Sequence, residues 1–152
     1  MPETEIDRIL DELAREHDGD PWHGSPLQHI LEGVTAADAS ARPVPGGHSI
    51  WELVLHMTGW AGEVTRRLGG SPPGEPAEGD WPAMPERCGD PQWVAARLGL
   101  AEAHAELTGT VAARESLSDL EAHTINGLLQ HDAYHAGQVS LLRKLLSVNR
   151  IQ

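Results

Sequence analysis

Two leucine positions on one apolar stripe are taken by histidines. Over residues 124–147 the stripe reads Ile125, Leu128, His131, His135, Gln138/Val139, Leu142 and Leu145 at helical spacing. A second stripe, Ile50, Leu53, His56/Met57, Trp60, Val64 and Leu68, carries a third histidine in the same kind of place. An imidazole away from water costs free energy unless its nitrogens find partners. Such a chain must therefore hydrogen-bond each ring to a neighbour or bring the rings together on a cation. His131 and His135 are one helical turn apart, on one face and about 6 Å apart along the axis, so both can reach one ion. A third imidazole from another helix leaves one coordination position open, as in a catalytic site, where a structural site takes four protein ligands. The other reading is three core histidines bonded to neighbours, and a His-x-x-x-His pair also occurs on surface helices.

The rest of the pattern is helical. Residues 3–17 carry Ile6, Ile9, Leu10 and Leu13 on one face. After HDGDPWHGSP, Ser25 and Pro26 read as N-cap and first residue of a helix with Leu27, Ile30, Leu31 and Val34 inward. Thr35 to Ala41 continues as a short helix, which Pro43, Pro45 and Gly46-Gly47 end. Ser49 and Glu52 form a capping-box signature for a helix to Leu68, in which Gly59 and Gly62 point to close packing. Residues 69–92 form a long Pro- and Gly-rich loop, of a length uncommon inside a compact domain and often functional. A helix from Pro91 to Ala113 follows, with Val94, Leu98, Ala101, Ala105 and Leu107/Thr108 as its apolar side, then a last helix capped by Ser118 or Thr124. Strand signals are nearly absent. The expected fold is all-α, four main helices plus short ones, with residues 1–152 as one domain.

Eleven Lys and Arg against 23 Asp and Glu give a net charge of -12, which repels phosphate backbones and argues against nucleic-acid binding. The basic pairs Arg66-Arg67 and Arg143-Lys144 are placed near helix C-termini, where they offset the dipole. No apolar run is long enough for a bilayer and no secretory signal is visible. Cys88 is alone, which fits a reducing cytoplasm.

HSIWELVLHMTGW and LLQHDAYHAGQVSLLRKLL, with the earlier PWHGSPLQHILEGVTAADASARP, resemble the DinB/YfiT-like family of metalloenzymes over nearly the whole chain. The resemblance implies a four-helix bundle of up-down-down-up connectivity and one divalent ion, zinc or nickel, on His56, His131 and His135. It also implies homodimers, and activities that include transfer of low-molecular-weight thiols. A hydrolase acting through activated water is the other catalytic expectation; a non-catalytic, metal-stabilised binding bundle is the alternative. Either enzyme would take a small-molecule substrate. A di-iron carboxylate site is not expected, because neither His131 nor His135 has a Glu three residues earlier.

Gln138, on the His135 face, can bond a ligand imidazole and fix its tautomer or contact a substrate, and Asp132 can back His135 in the same way; for both the other reading is a solvated or interhelical polar residue. Tyr134 points away from the ligand face. Glu52 is a general-base candidate whose capping role already explains it, and His48 is a turn residue near the pocket mouth. His23 and His29 are expected at surface or capping positions, and His17, His104 and His123 at the surface. Trp22, Trp51 and Trp60 are expected in the core. Cys88 has no role assigned. Arg42, Arg66, Arg67 and Arg143 are the cations available to an anionic thiol.

Overall fold

A computed structural model describes residues 4–149. The described residues form six helices and no strand: α1 (Glu5–Asp18), α2 (Leu27–Leu31), α3 (Ala36–Ser40), α4 (Ile50–Leu68), α5 (Asp90–Ala112) and α6 (Asp119–Asn149). None of these helices is long and apolar enough to cross a membrane.

The caps explain most of the boundaries. Thr4 and Asp7 close a capping box on α1, Ser49 and Glu52 one on α4, and the Thr35 hydroxyl caps α3. At α6 Ser118 caps rather than Thr124: its hydroxyl accepts from the Glu121 amide, and Glu121 accepts from the Ser118 amide. The helix thus starts a turn and a half before the expected residue. At α2 the N-cap is Pro26, not Ser25, and no side chain caps it. Leu27, Ile30 and Leu31 are buried, so packing holds this short helix in place of a cap.

The long helices pair with defined directions. Trp51 and Trp93, near the starts of α4 and α5, have ring centroids 5.2 Å apart. At the other end Arg114, just past α5, donates to the Leu68 carbonyl, so α4 and α5 run the same way. Helix α6 runs opposite to α4, with His131 beside His56. Two apolar clusters fill the space between helices. One centres on Leu27, Trp51, Met57, Leu100 and Val139; the other on Leu13, Ala61, Leu107, Val111 and Ile125.

Three expectations about faces are corrected. Helix α5 buries Trp93, Leu100, His104, Leu107 and Val111, while Val94 and Leu98 are exposed. The buried stripe is displaced by one residue, a rotation of about 100°, because the Trp93 indole turns inward to donate to the Val34 carbonyl at 2.7 Å. His104 is therefore buried rather than at the surface. Trp22, expected in the core, is 98% exposed in the turn after α1. Gly59 does sit under a close neighbour, since a Cβ there would lie 3.1 Å from Pro76, but a Cβ at Gly62 would meet nothing. Arg143 lies before the last turn of α6 and reaches the Ile30 carbonyl at 2.6 Å, tying α6 to α2.

Candidate metal centre

Helix α4 supplies His56 and α6 supplies His131 and His135. Their ring centroids lie 4.4–4.8 Å apart, and one nitrogen of each falls within 4.8 Å of the other two. His56 and His135 are buried, and the His131 side chain is 26% exposed.

Each ring is held from behind by an oxygen. The Nδ1–H of His56 donates to the Asp80 carbonyl at 2.5 Å, that of His131 to Asp132 Oδ1 at 3.2 Å, and that of His135 to Gln138 Oε1 at 2.6 Å. All three acceptors require a proton on Nδ1, so all three Nε2 atoms present lone pairs. The Nε2 atoms of His56 and His131 face each other at 2.8 Å. Lone pairs converging at that distance repel unless a cation sits among them, so the donor set fits a divalent ion that prefers nitrogen ligands. Burial, reinforced by the neighbouring His131, pushes His56 and His135 below the usual imidazole range, although the Asp80 carbonyl and Gln138 pull them back. Both rings are therefore neutral near pH 7, as ligation requires.

Asp132 is fully buried, yet its carboxyl is held below the ordinary value. Burial alone would raise it; His104 and His131 together outweigh that. Its Oδ2 lies 3.2 Å from His104 Nε2, a charge contact too misaligned for a hydrogen bond. Asp132 thus backs His131, and Gln138 backs His135. The Gln138 amide is oriented in turn by donating to the Tyr134 hydroxyl at 3.4 Å. Tyr134 is 66% exposed, but its ring stands 5.1 Å from that of His135, closer to the site than its helical position suggests.

Two loop residues complete the site, and sequence reasoning passed over both. Asp80 holds His56 through its carbonyl and accepts from Trp60 Nε1 through Oδ1 at 2.8 Å. The Trp81 ring lies between His48 and His56, with centroids 3.5 Å and 4.0 Å away. The signal was a tryptophan in an otherwise small and polar loop, where only packing on something justifies the indole. His48 is therefore part of the cover over the site. Glu52 is occupied by the Ser49 cap and by Arg42 at 2.5 Å. Burial raises its pKa, but Ser49 and Arg42 outweigh burial, and the group is an anchor rather than a base.

The loop is fastened upstream as well. Glu63 accepts from Arg66, Arg67 and the Gly74 amide at 2.7–2.9 Å, which lowers its pKa to about 2. His23 is exposed and bonded to Glu16 at 2.5 Å; His29 and His123 are exposed, His17 is half-buried against His104, and Cys88 is exposed.

A model of the DinB superfamily matches residues 22–139, a span that takes in all three clustered histidines. No curated protein and no solved structure matches the chain.

Proposed function

The chain belongs to the DinB superfamily, and from that premise we propose a divalent-metal-dependent enzyme whose ion is held by His56, His131 and His135. The four long helices read as the family's up-down-down-up bundle. The observation that carries the proposal is the shared Nδ1 contact of the three rings with backing oxygens, which leaves their Nε2 atoms as the ligating nitrogens. Zinc and nickel both suit three imidazoles.

When bound, a divalent ion on neutral ligands supplies positive charge that lowers the pKa of a water or thiol it carries. The protein's own residues do the rest. Asp80, Asp132 and Gln138 fix the rings. Trp81 and Trp60 keep bulk water off one side. His131, the most exposed of the three, faces a cavity of about 330 Å³ between α4 and α6. Arg67 lines the same cavity, and a cationic approach to the site favours transfer of a low-molecular-weight thiol over a sealed structural ion. Hydrolysis by an activated water is the runner-up. A homodimer acting on a small molecule completes the reading.

Elemental analysis of the purified chain is expected to give close to one divalent ion per chain. A thiol-reactive fluorogenic electrophile such as monochlorobimane is expected to turn over only with an added low-molecular-weight thiol. A folded, metal-free chain that takes up no zinc or nickel overturns the proposal. Thiol-independent turnover of an ester moves it to hydrolysis.

A further inference from the structure

The cavity beside His131 differs in charge from the rest of the molecule. The chain carries a net charge of -12, yet among the described residues no carboxylate lines this cavity. Its charged and ionisable lining is Arg67, His123 and His131. His131 stands at one end and Arg67 with His123 at the other. Trp60 and Arg67 stand seven positions apart on α4, a rise of about 10 Å along its axis, and the Arg67 side chain reaches back toward Trp60. Between the ends the wall is apolar, formed by Trp60, Val64 and Leu128. Gly127 also lines it, and a Cβ there would meet only open space.

Arg67 is held in place but not used up. Its Nε donates to Glu63 Oε1 at 2.7 Å and its Nη2 to the Gly74 carbonyl at 2.7 Å. Its Nη1 has no partner among the described residues, and the side chain is 26% exposed. Glu63 is shared with Arg66, so the three groups keep one surplus positive charge. The Trp60 ring is fixed by its bond to Asp80 and lies 5.7 Å from the Arg67 guanidinium carbon. A preset guanidinium with donors to spare, at the end of an apolar trough, matches an anionic group carried on an apolar stem.

We infer that the groove between α4 and α6 binds a small anionic molecule, its carboxylate or similar group on Arg67 and its apolar stem against Trp60 and Leu128. The inference rests on the metal-centre reading only for what reacts at the His131 end; anion binding stands on the groove alone.

The test is calorimetric titration of the full chain, zinc-loaded and chelated, with 4-phenylbutyrate and with its neutral amide. The acid is expected to bind in both states and more tightly than the amide. Arg67→Gln is expected to weaken the acid by about tenfold and to leave the amide within about twofold. Gly127→Leu, which extends into the empty groove, is expected to weaken both by about tenfold while zinc content stays unchanged. Equal binding of acid and amide overturns the inference, as does acid binding that Arg67→Gln leaves intact, or no binding of either at about 10 mM. Acid binding that requires zinc and disappears in His135→Ala also overturns it, because the carboxylate then sits on the ion. Zinc analysis of the same samples separates the two claims: anion binding without zinc uptake sinks the enzyme reading alone, and zinc uptake without anion binding sinks the groove alone.

Discussion

Trp81 lies flat on His56, with ring centroids 4.0 Å apart and planes 8° from parallel. The indole covers one face of the His56 ring and stands 6.2 Å from the His135 ring of α6. Trp81→Ala removes two stacked ring pairs, with His48 and with His56, and is expected to cost about 1–3 kcal/mol in denaturant unfolding. It is also expected to speed chelator stripping of bound zinc, followed by a colorimetric zinc indicator. Unchanged stripping would mean that the stack does not govern access.

His135→Ala is expected to abolish stoichiometric zinc binding, while His29→Ala, at an exposed position, leaves it intact. The measurement is metal content after dialysis. Loading the native chain with zinc at about a thousand times its dissociation constant is expected to add about 4 kcal/mol of stability, read as a rise in Tm. His135→Ala should lose that rise.

Asp132 bears on both binding and stability. Asp132→Asn keeps the size but removes the buried charge that faces His131 and His104. Zinc affinity is expected to fall by about 10- to 100-fold, as for other residues that back a metal ligand. Stability of the metal-free chain should fall too, because the two histidines lose a buried carboxylate acceptor. Isothermal titration and thermal melts measure the two separately.

The Glu63 clamp predicts an acid-sensitive contribution. Its carboxyl ordinarily titrates near 4.5 and is lowered to about 2 in the folded chain, chiefly by Arg66. A depressed folded value means stability that is fully present above pH 4.5 and lost as the pH falls toward 2. Glu63→Gln should be less stable at pH 7 and should lose less on acidification across that window. Parallel loss in both proteins would assign the acid sensitivity elsewhere.

The three histidines that cluster and the α4 cap were legible because both signals are local. A histidine among leucines at helical spacing, and a serine three residues before a glutamate, carry their meaning within a few turns. The face of α5 was not legible in the same way. That helix is rich in Ala and Leu on all sides, so Val94, Leu98 and Ala101 made as good a stripe as the true one. Trp93, whose indole needs a buried acceptor, decides the rotation through a carbonyl 59 residues away in sequence. Asp80 and Trp81 escaped for a related reason: their roles depend on where a Pro-rich loop lands. Trp22 shows the converse, since an indole read as core stands in solvent. The backing roles of Gln138 and Asp132 were foreseen as alternatives, and the fold assigns one imidazole to each.

The hydrogen bonds that fasten the loop, at Glu63, His56 and Trp60, all belong to α4, while two of the three imidazoles belong to α6. The cover and His56 therefore form one jaw, and His131 with His135 the other. The seam between the jaws runs along the cavity from His131 to Arg67. A slight parting of these two helices would widen the entrance and loosen the cluster together while those hydrogen bonds stay intact, which couples admission of a molecule to the grip on a cation.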